Sequence, residues 1–429
     1  MPDGSLDLLS LRGFFKGTAS VGLSQAIAAA CGFAATLVVA DTLHASGLGE
    51  VAYILALNSL VLASTSGGLA SAIVVSNAGS QDTRVPLTAV IRLAIGTTCI
   101  GVAGILSIHA TGGFGPTLSA SLVAISVVQY SVTGIDLPVQ GILRSRNALT
   151  QSAAIDATES GLLLAMIIGL SATGALTALT TIGLYAASAM FSVAAATTWC
   201  LVRLRRKRFS RSDARTLARV ARPLTVVNVL GVTSQRIDIL LVGLLLSASD
   251  VGVYALATRF AEAVMLIPGA VAFVSLSRSA SGERAELRDT TPRVAWASGI
   301  AAATTGISAV ALSWLLSSKY LPSGFHEVPW VCAILVPGIV ALAMSQVLEN
   351  ELVSIGGMRA TVAANASSLV VVVIVAFPTI LLIGLDGAAI ASTCGFIARY
   401  ASTVRSYLKL HELDARRYFL SSRFWRSIP

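Results

Sequence analysis

Apolar residues run along this chain in long blocks separated by short polar stretches, without the two-residue alternation of a half-buried strand. Each block is close to the ~20 residues that carry a helix across ~30 Å of hydrocarbon at ~1.5 Å per residue. In order they predict about twelve spans, near residues 17–40, 50–76, 87–109, 118–143, 148–170, 177–202, 223–246, 251–277, 294–316, 328–348, 361–384 and 387–408. An outer-membrane barrel would instead show segments of ~10 residues with alternating polarity. The predicted fold class is therefore an all-α polytopic membrane protein.

Composition points the same way. Hydrophobic residues fill 55% of the 429 positions and charged residues only 12%, against roughly 45–50% and about 25% in soluble domains. No aqueous fold could hide that much apolar surface, so the solvent must be lipid. Charge then fixes the expected orientation, because short cytoplasmic loops retain Lys and Arg. With the N-terminus inside, only Lys319 of the 30 basic residues falls in an outer loop, and Arg236 and Arg259 fall within spans. Both termini are thus expected in the cytoplasm. The net charge of +9 describes topology and attraction to anionic inner-leaflet lipid, with no need for nucleic acid.

The start of the chain lacks the early basic region, short apolar run and cleavage site of a signal peptide, so the first span is expected to be a retained anchor. Cys31, Cys99, Cys200, Cys332 and Cys394 all fall in apolar segments, and His44, His109, His326 and His411 lie far apart, so no metal or cofactor is expected. Organisation says more. A cytoplasmic or interfacial N-terminus (1–16) leads into six spans (17–202). A basic linker (203–222) is followed by six more (223–408) and a basic tail (409–429), whose mixed Arg and aromatic residues suit the inner leaflet or a docking surface for partner enzymes.

The two halves resemble each other. GEVAYILALN from Gly49 is similar to DVGVYALATR from Asp250, pairing Tyr53 with Tyr254 and Asn58 with Arg259. ILRSRNAL from Ile142 corresponds to IGGMRAT from Ile355, each between the fourth and fifth spans of its half. An even number of spans per half makes two lobes related by an axis along the membrane normal, with a solute path and alternating access as the usual consequence. Pro138, Pro268 and Pro337 interrupt spans, and Pro268 is the expected bend.

The segments ASGLGEVAYILAL from Ala45, RPLTVVNVLGVTSQRIDILLVGLLL from Arg222, SASDVGVYALATR from Ser247 and GLDGAAIAST from Gly384 together carry a family resemblance. In their order and spacing the chain resembles the polysaccharide-unit (Wzx-type) flippases of the multidrug/oligosaccharidyl-lipid/polysaccharide exporter superfamily. The resemblance covers nearly the whole chain. It implies a MATE-like fold of two lobes in the cell membrane, and movement of an undecaprenyl-diphosphate-linked sugar to the outer face for surface polysaccharide biosynthesis. Polysaccharide-assembly enzymes would be partners.

Ionisable residues at membrane depth cost several kcal/mol and normally face a cavity or a partner. Four fall in the seventh and eighth spans: Arg236, Asp238, Arg259 and Glu262. Residues two apart on a helix diverge, so Arg236 and Asp238 cannot both neutralise each other and face one partner, whereas Arg259 and Glu262, three apart, can pair. A guanidinium fork suits a diphosphate, making Arg236 and then Arg259 the expected substrate ligands. Asp238 and Glu262 are expected to bind a coupling cation or to form salt bridges. The first half offers the neutral Gln25 and Asn58 as further substrate ligands. Near the cytoplasmic ends of spans, Asp136, Asp156, Glu159, Glu349 and Glu351 would pair with Arg144, Arg146 and Arg359, as an inner gate or as a static belt.

An enzyme is not expected. No Gly-Lys pair is present for a phosphate-cradling loop and no Asp-Asp pair for a metal-dependent transferase. The competing readings are a cation-coupled multidrug exporter of the same superfamily, whose pocket should combine aromatics and acids, and a peptidoglycan lipid-precursor flippase.

Overall fold

The computed structural model describes residues 8–78, 87–110, 118–146, 148–203, 211–265, 284–354 and 357–412, and among them there is no strand. The helices are α1 (Leu8–Leu62), α2 (Gly68–Ala78), α3 (Leu87–Ala110), α4 (Ala120–Ser145), α5 (Leu149–Ala172), α6 (Ala178–Arg203) and α7 (Arg211–Leu245). They continue with α8 (Ala248–Ala263), α9 (Arg284–Lys319), α10 (Val328–Ser354), α11 (Met358–Ile383) and α12 (Leu385–His411). A π-helical turn, Ala63–Gly67, joins α1 to α2, and a 3₁₀ turn, Ser323–Phe325, precedes α10.

Nine segments among the described residues are long and apolar enough to cross a membrane, and the first, Val21–Ser76, has 56 residues. At ~1.5 Å per residue that length suffices for two crossings, and its break lies at His44, with φ 58° and ψ −173°. Two expected spans fall outside the nine. Helix α8 is described for only 16 residues, and α12 carries Arg399, Arg405 and Lys409. Pro138 and Pro337 sit inside α4 and α10, whereas Pro268 lies outside the described residues.

Large apolar side chains point away from the protein along these helices: Leu382 is 80% exposed, and Val202, Ile307 and Ile374 are similarly bare. Such surfaces are stable only against lipid. Trp314, Tyr320 and Trp330 are exposed around the α9–α10 turn, as aromatic rings are at a membrane–water interface. Helix α10 is the opposite case, with Val331, Cys332, Leu335, Met344, Val347 and Leu348 all buried. Many Ser and Thr hydroxyls donate to the carbonyl four residues earlier, as at Thr36, Thr42 and Thr379, which satisfies them without a neighbouring helix.

The chain forms two compact units. The first holds residues 1–43 and 57–229, the second 44–56 and 230–429. The division therefore passes through α7 rather than through the basic linker. The first half of α7 packs into unit 1, where Leu217 is buried with Leu69, Val139, Leu143 and Cys200. Residues 44–56, on α1 beyond its break, pack into unit 2.

The reason is a crossing of two similar strings, Ala45-Ser46-Gly47-Leu48-Gly49 and Ala248-Ser249-Asp250-Val251-Gly252. A Cβ on Gly49 would overlap the carbonyl oxygen of Ala248, and one on Gly252 would overlap that of Ala45. Small residues four apart allow this backbone approach, as in other membrane helix pairs. The reciprocity makes Gly49 equivalent to Gly252, two positions from the pairing of Tyr53 with Tyr254 read from sequence. The N-terminus of α8 is fixed by a capping box, with the Ser247 side chain accepting from the Asp250 N–H and the Asp250 carboxylate from the Ser247 N–H.

Candidate functional site

The second half of α7 and helix α8 place four charged residues in unit 2. Arg236 on α7 and Arg259 on α8 both reach Glu262. Arg236 Nη1 lies 2.8 Å from Glu262 Oε1, and Arg259 Nη1 lies 3.0 Å from Glu262 Oε2. One carboxylate is thus shared by two guanidinium groups. The side chains are partly open, at 27% for Arg236, 40% for Arg259 and 39% for Glu262. The Arg259–Glu262 pair follows the three-residue spacing seen in the sequence; the Arg236–Glu262 contact joins different helices.

Asp238 turns the other way, as its two-residue offset from Arg236 requires. It is buried, with Oδ2 accepting from the Tyr254 hydroxyl at 2.8 Å and the Ser392 hydroxyl at 2.9 Å, and Oδ1 accepting from the Ile239 N–H at 2.8 Å. Among the described residues it makes no salt bridge; neutral donors fill its oxygens instead. Nearby on α7, Ser234 Oγ lies 3.5 Å from Asn365 Oδ1 of α11.

In unit 1 the interior is mostly neutral. Asn58 donates to Gln129 Oε1 at 2.7 Å and to the Ser126 carbonyl at 3.2 Å, and accepts from the Ser126 hydroxyl. Gln25 stands exposed on α1. These two expected substrate ligands belong to unit 1 and the arginines to unit 2. Three acids meet where α4, α5 and α6 pack together. Asp136 accepts from Ser192 at 2.8 Å, Gln140 bridges Asp156 and Ser192, and Arg144 lies 3.4 Å from Asp156. Glu159 shares Ser192, and the carboxyl groups are near enough to repel one another. Arg146 caps the end of α4, with its side chain beside Cys200.

The expected partner of the remaining acids is corrected. Glu349 does not meet Arg359, which is exposed, but forms a two-bond fork with Arg399, Nε to Oε1 and Nη2 to Oε2, both at 2.8 Å. Thr403 adds a third bond to this carboxylate, and both side chains are only 7% exposed. Glu351 instead faces His411, at 3.1 Å, whose ring packs on Tyr407 at 4.5 Å.

A family model described as polysaccharide biosynthesis protein matches residues 38–323, two thirds of the chain. The chain belongs to this family. Among solved structures it is similar to the lipid II flippase MurJ in an inward closed conformation. The TM-score is 0.68 at 12% identity, over 95% of this chain and 93% of that one. It is also similar to an inward-facing multidrug resistance MATE family transporter of the MOP superfamily, with a TM-score of 0.64 at 12% identity over 94% and 96%. For a mutant of the Vibrio cholerae MATE transporter VcmN, the TM-score is 0.58 at 14% identity over 94% and 100%. At these identities the likeness is one of fold. No curated protein matches the sequence. Family and apolar helices together make the chain a multi-pass membrane protein of the polysaccharide biosynthesis family, with a fold like that of these solved proteins.

For a member of the polysaccharide biosynthesis family, sequence reading missed the groups that hold the acids. Tyr254, Ser392, Ser192 and Gln140 are ordinary polar residues in apolar surroundings, and only folding shows which carboxyl each meets. Arg399 carried a signal: it stands in GFIARYAST, an apolar stretch of the last span. A cation there requires an acid on a neighbouring helix.

Proposed function

We propose that this protein is a flippase that carries a polyprenyl-diphosphate-linked oligosaccharide from the inner to the outer leaflet for cell-surface polysaccharide biosynthesis. The observation that carries this reading is the sharing of Glu262 by Arg236 and Arg259. Two guanidinium groups converge on one pair of oxygens and remain open on one side, the arrangement that a diphosphate with several equivalent oxygens would engage. The family description supports it, as does a fold shared with a flippase of lipid II. Both termini lie in the cytoplasm on this reading, where the basic linker and tail meet anionic lipid. Asp238 holds α7 to α8 and α12.

Likeness to multidrug transporters of the MATE type favours a second reading, cation-coupled drug export. The double variant Arg236→Gln/Arg259→Gln separates the two. Loss of surface polysaccharide at normal protein levels is expected, and undiminished polysaccharide would refute the diphosphate assignment. Deletion of the gene that sensitises cells to cationic dyes while polysaccharide stays normal would favour drug export.

A further inference from the structure

The first half of α7 has two faces. Leu217 is buried in the core of unit 1, and Val220, Ala221 and Leu224 pack against the same cluster, a spacing that makes one helical face. Arg215, Arg219 and Arg222 fall on the opposite face, four and three residues apart, and all three are exposed. Among the described residues none of them meets an acid. Arg144, Arg236 and Arg399, by contrast, are each held by a carboxylate.

This stripe lies at the edge of the bilayer. Near the end of α6, Cys200 belongs to the same cluster as Leu217, and Trp199 packs on it; tryptophan is enriched at the membrane–water interface. On α7 the charges stop at Arg222. Pro223 follows, and the next ionisable residue is Arg236, roughly 20 Å further along the helix. Pro223 also deprives the Arg219 carbonyl of its helical donor, so the backbone there favours headgroups and water over hydrocarbon. Short cytoplasmic loops retain their basic residues, which makes the leaflet the inner one.

From this placement we infer that Arg215, Arg219 and Arg222 form a fixed binding stripe for the phosphates of anionic phospholipid, holding unit 1 to the inner leaflet. The stripe is separate from transport and does not depend on the diphosphate reading of Arg236 and Arg259. A guanidinium fork engages two phosphate oxygens at once. Because Leu217 and its neighbours already hold the helix against the core, little backbone order remains to be gained on binding, and the cost of association is low. A headgroup of net negative charge suits three cations that lack acid partners, whereas a zwitterionic headgroup brings its own counter-charge. General attraction between a basic segment and anionic lipid needs no such order; the stripe adds a defined set of side chains on one face.

The test is native mass spectrometry of the purified full chain in detergent, titrated with phosphatidylglycerol or with phosphatidylcholine. Phosphatidylglycerol should bind the native chain more tightly, and each single Arg→Gln variant of the stripe should lose about fivefold of that affinity. The triple variant Arg215→Gln/Arg219→Gln/Arg222→Gln should lose on the order of a hundredfold, and with it the preference between the two lipids. Thr216 is also exposed, so the exchange Thr216→Arg/Arg219→Thr keeps composition and net charge while moving one guanidinium roughly a quarter-turn off the stripe. It should lose affinity as Arg219→Gln does.

Equal affinity of the native chain for the two lipids, or affinity unmoved in the single and triple variants, would overturn the inference. So would affinity unmoved in the exchange, since total charge alone would then attract the lipid. Displacement of phosphatidylglycerol from the stripe by farnesyl diphosphate at equal concentration would also overturn it, and would assign these arginines to the transported lipid instead.

Discussion

Unit 2 holds two acid–arginine assemblies made from the same chemistry and used differently. Glu349 and Arg399 are sealed between α10 and α12, joined by two parallel bonds and closed by Thr403. Glu262 is open, split between Arg236 on α7 and Arg259 on α8. A sealed fork cannot be traded for a ligand, since separating it leaves two buried charges unmatched. An open bridge is separated at little cost. Accessibility, more than residue type, separates the fastener from the open bridge.

Breaking the sealed pair should have the largest effect on folding. Arg399→Met strands a buried carboxylate, and a loss of about 3–5 kcal/mol is expected, read as a lower unfolding temperature in detergent. The double variant Glu349→Met/Arg399→Met should recover most of that loss; no recovery would mean that the fork contributes more than mutual neutralisation. Next in size, Asp238→Ala leaves the Tyr254 and Ser392 hydroxyls without their acceptor and should cost about 1–3 kcal/mol. Asp238→Asn keeps an acceptor and should cost less, because neutral donors surround the group. A comparable loss in the two variants would mean that the ionic form is required.

At the open bridge, Arg259→Gln should cost no more than about 1 kcal/mol while export falls, the reverse of the Arg399 result. If the two substitutions destabilise equally, the contrast between fastener and site fails. In unit 1 the Asn58–Gln129–Ser126 bonds are neutral, and Asn58→Ala should cost about 0.6–1.7 kcal/mol, as interhelical hydrogen bonds in membranes do. Smallest of all, His44 holds a backbone conformation that suits glycine (φ 58°, ψ −173°), and His44→Gly should raise stability by up to about 1 kcal/mol. Thermal unfolding measures both.

Much of the fold was legible because a bilayer imposes a length and a polarity on every crossing. The two-residue offset of Arg236 and Asp238 foretold that they would diverge, and the three-residue spacing of Arg259 and Glu262 foretold their pairing. What periodicity along one helix cannot carry is the register between helices. For that reason the second arginine on Glu262 was invisible, and Glu349 was grouped with Arg144, Arg146 and Arg359, when its partner Arg399 lies 50 residues away on α12. The unit boundary was hidden for a related reason: polar composition marks the linker, but packing is decided by Leu217 within it and by Gly49 on another helix altogether.

The crossing of Ala45–Gly49 with Ala248–Gly252 has a consequence for how this chain can vary. Each glycine admits the other string's carbonyl, so a side chain at either position separates both backbones at once. The second substitution would then find nothing left to disrupt. Harm from Gly49→Ala and Gly252→Ala should therefore not add, and across variants the two sites should be constrained as a single character, although 203 positions separate them in the chain.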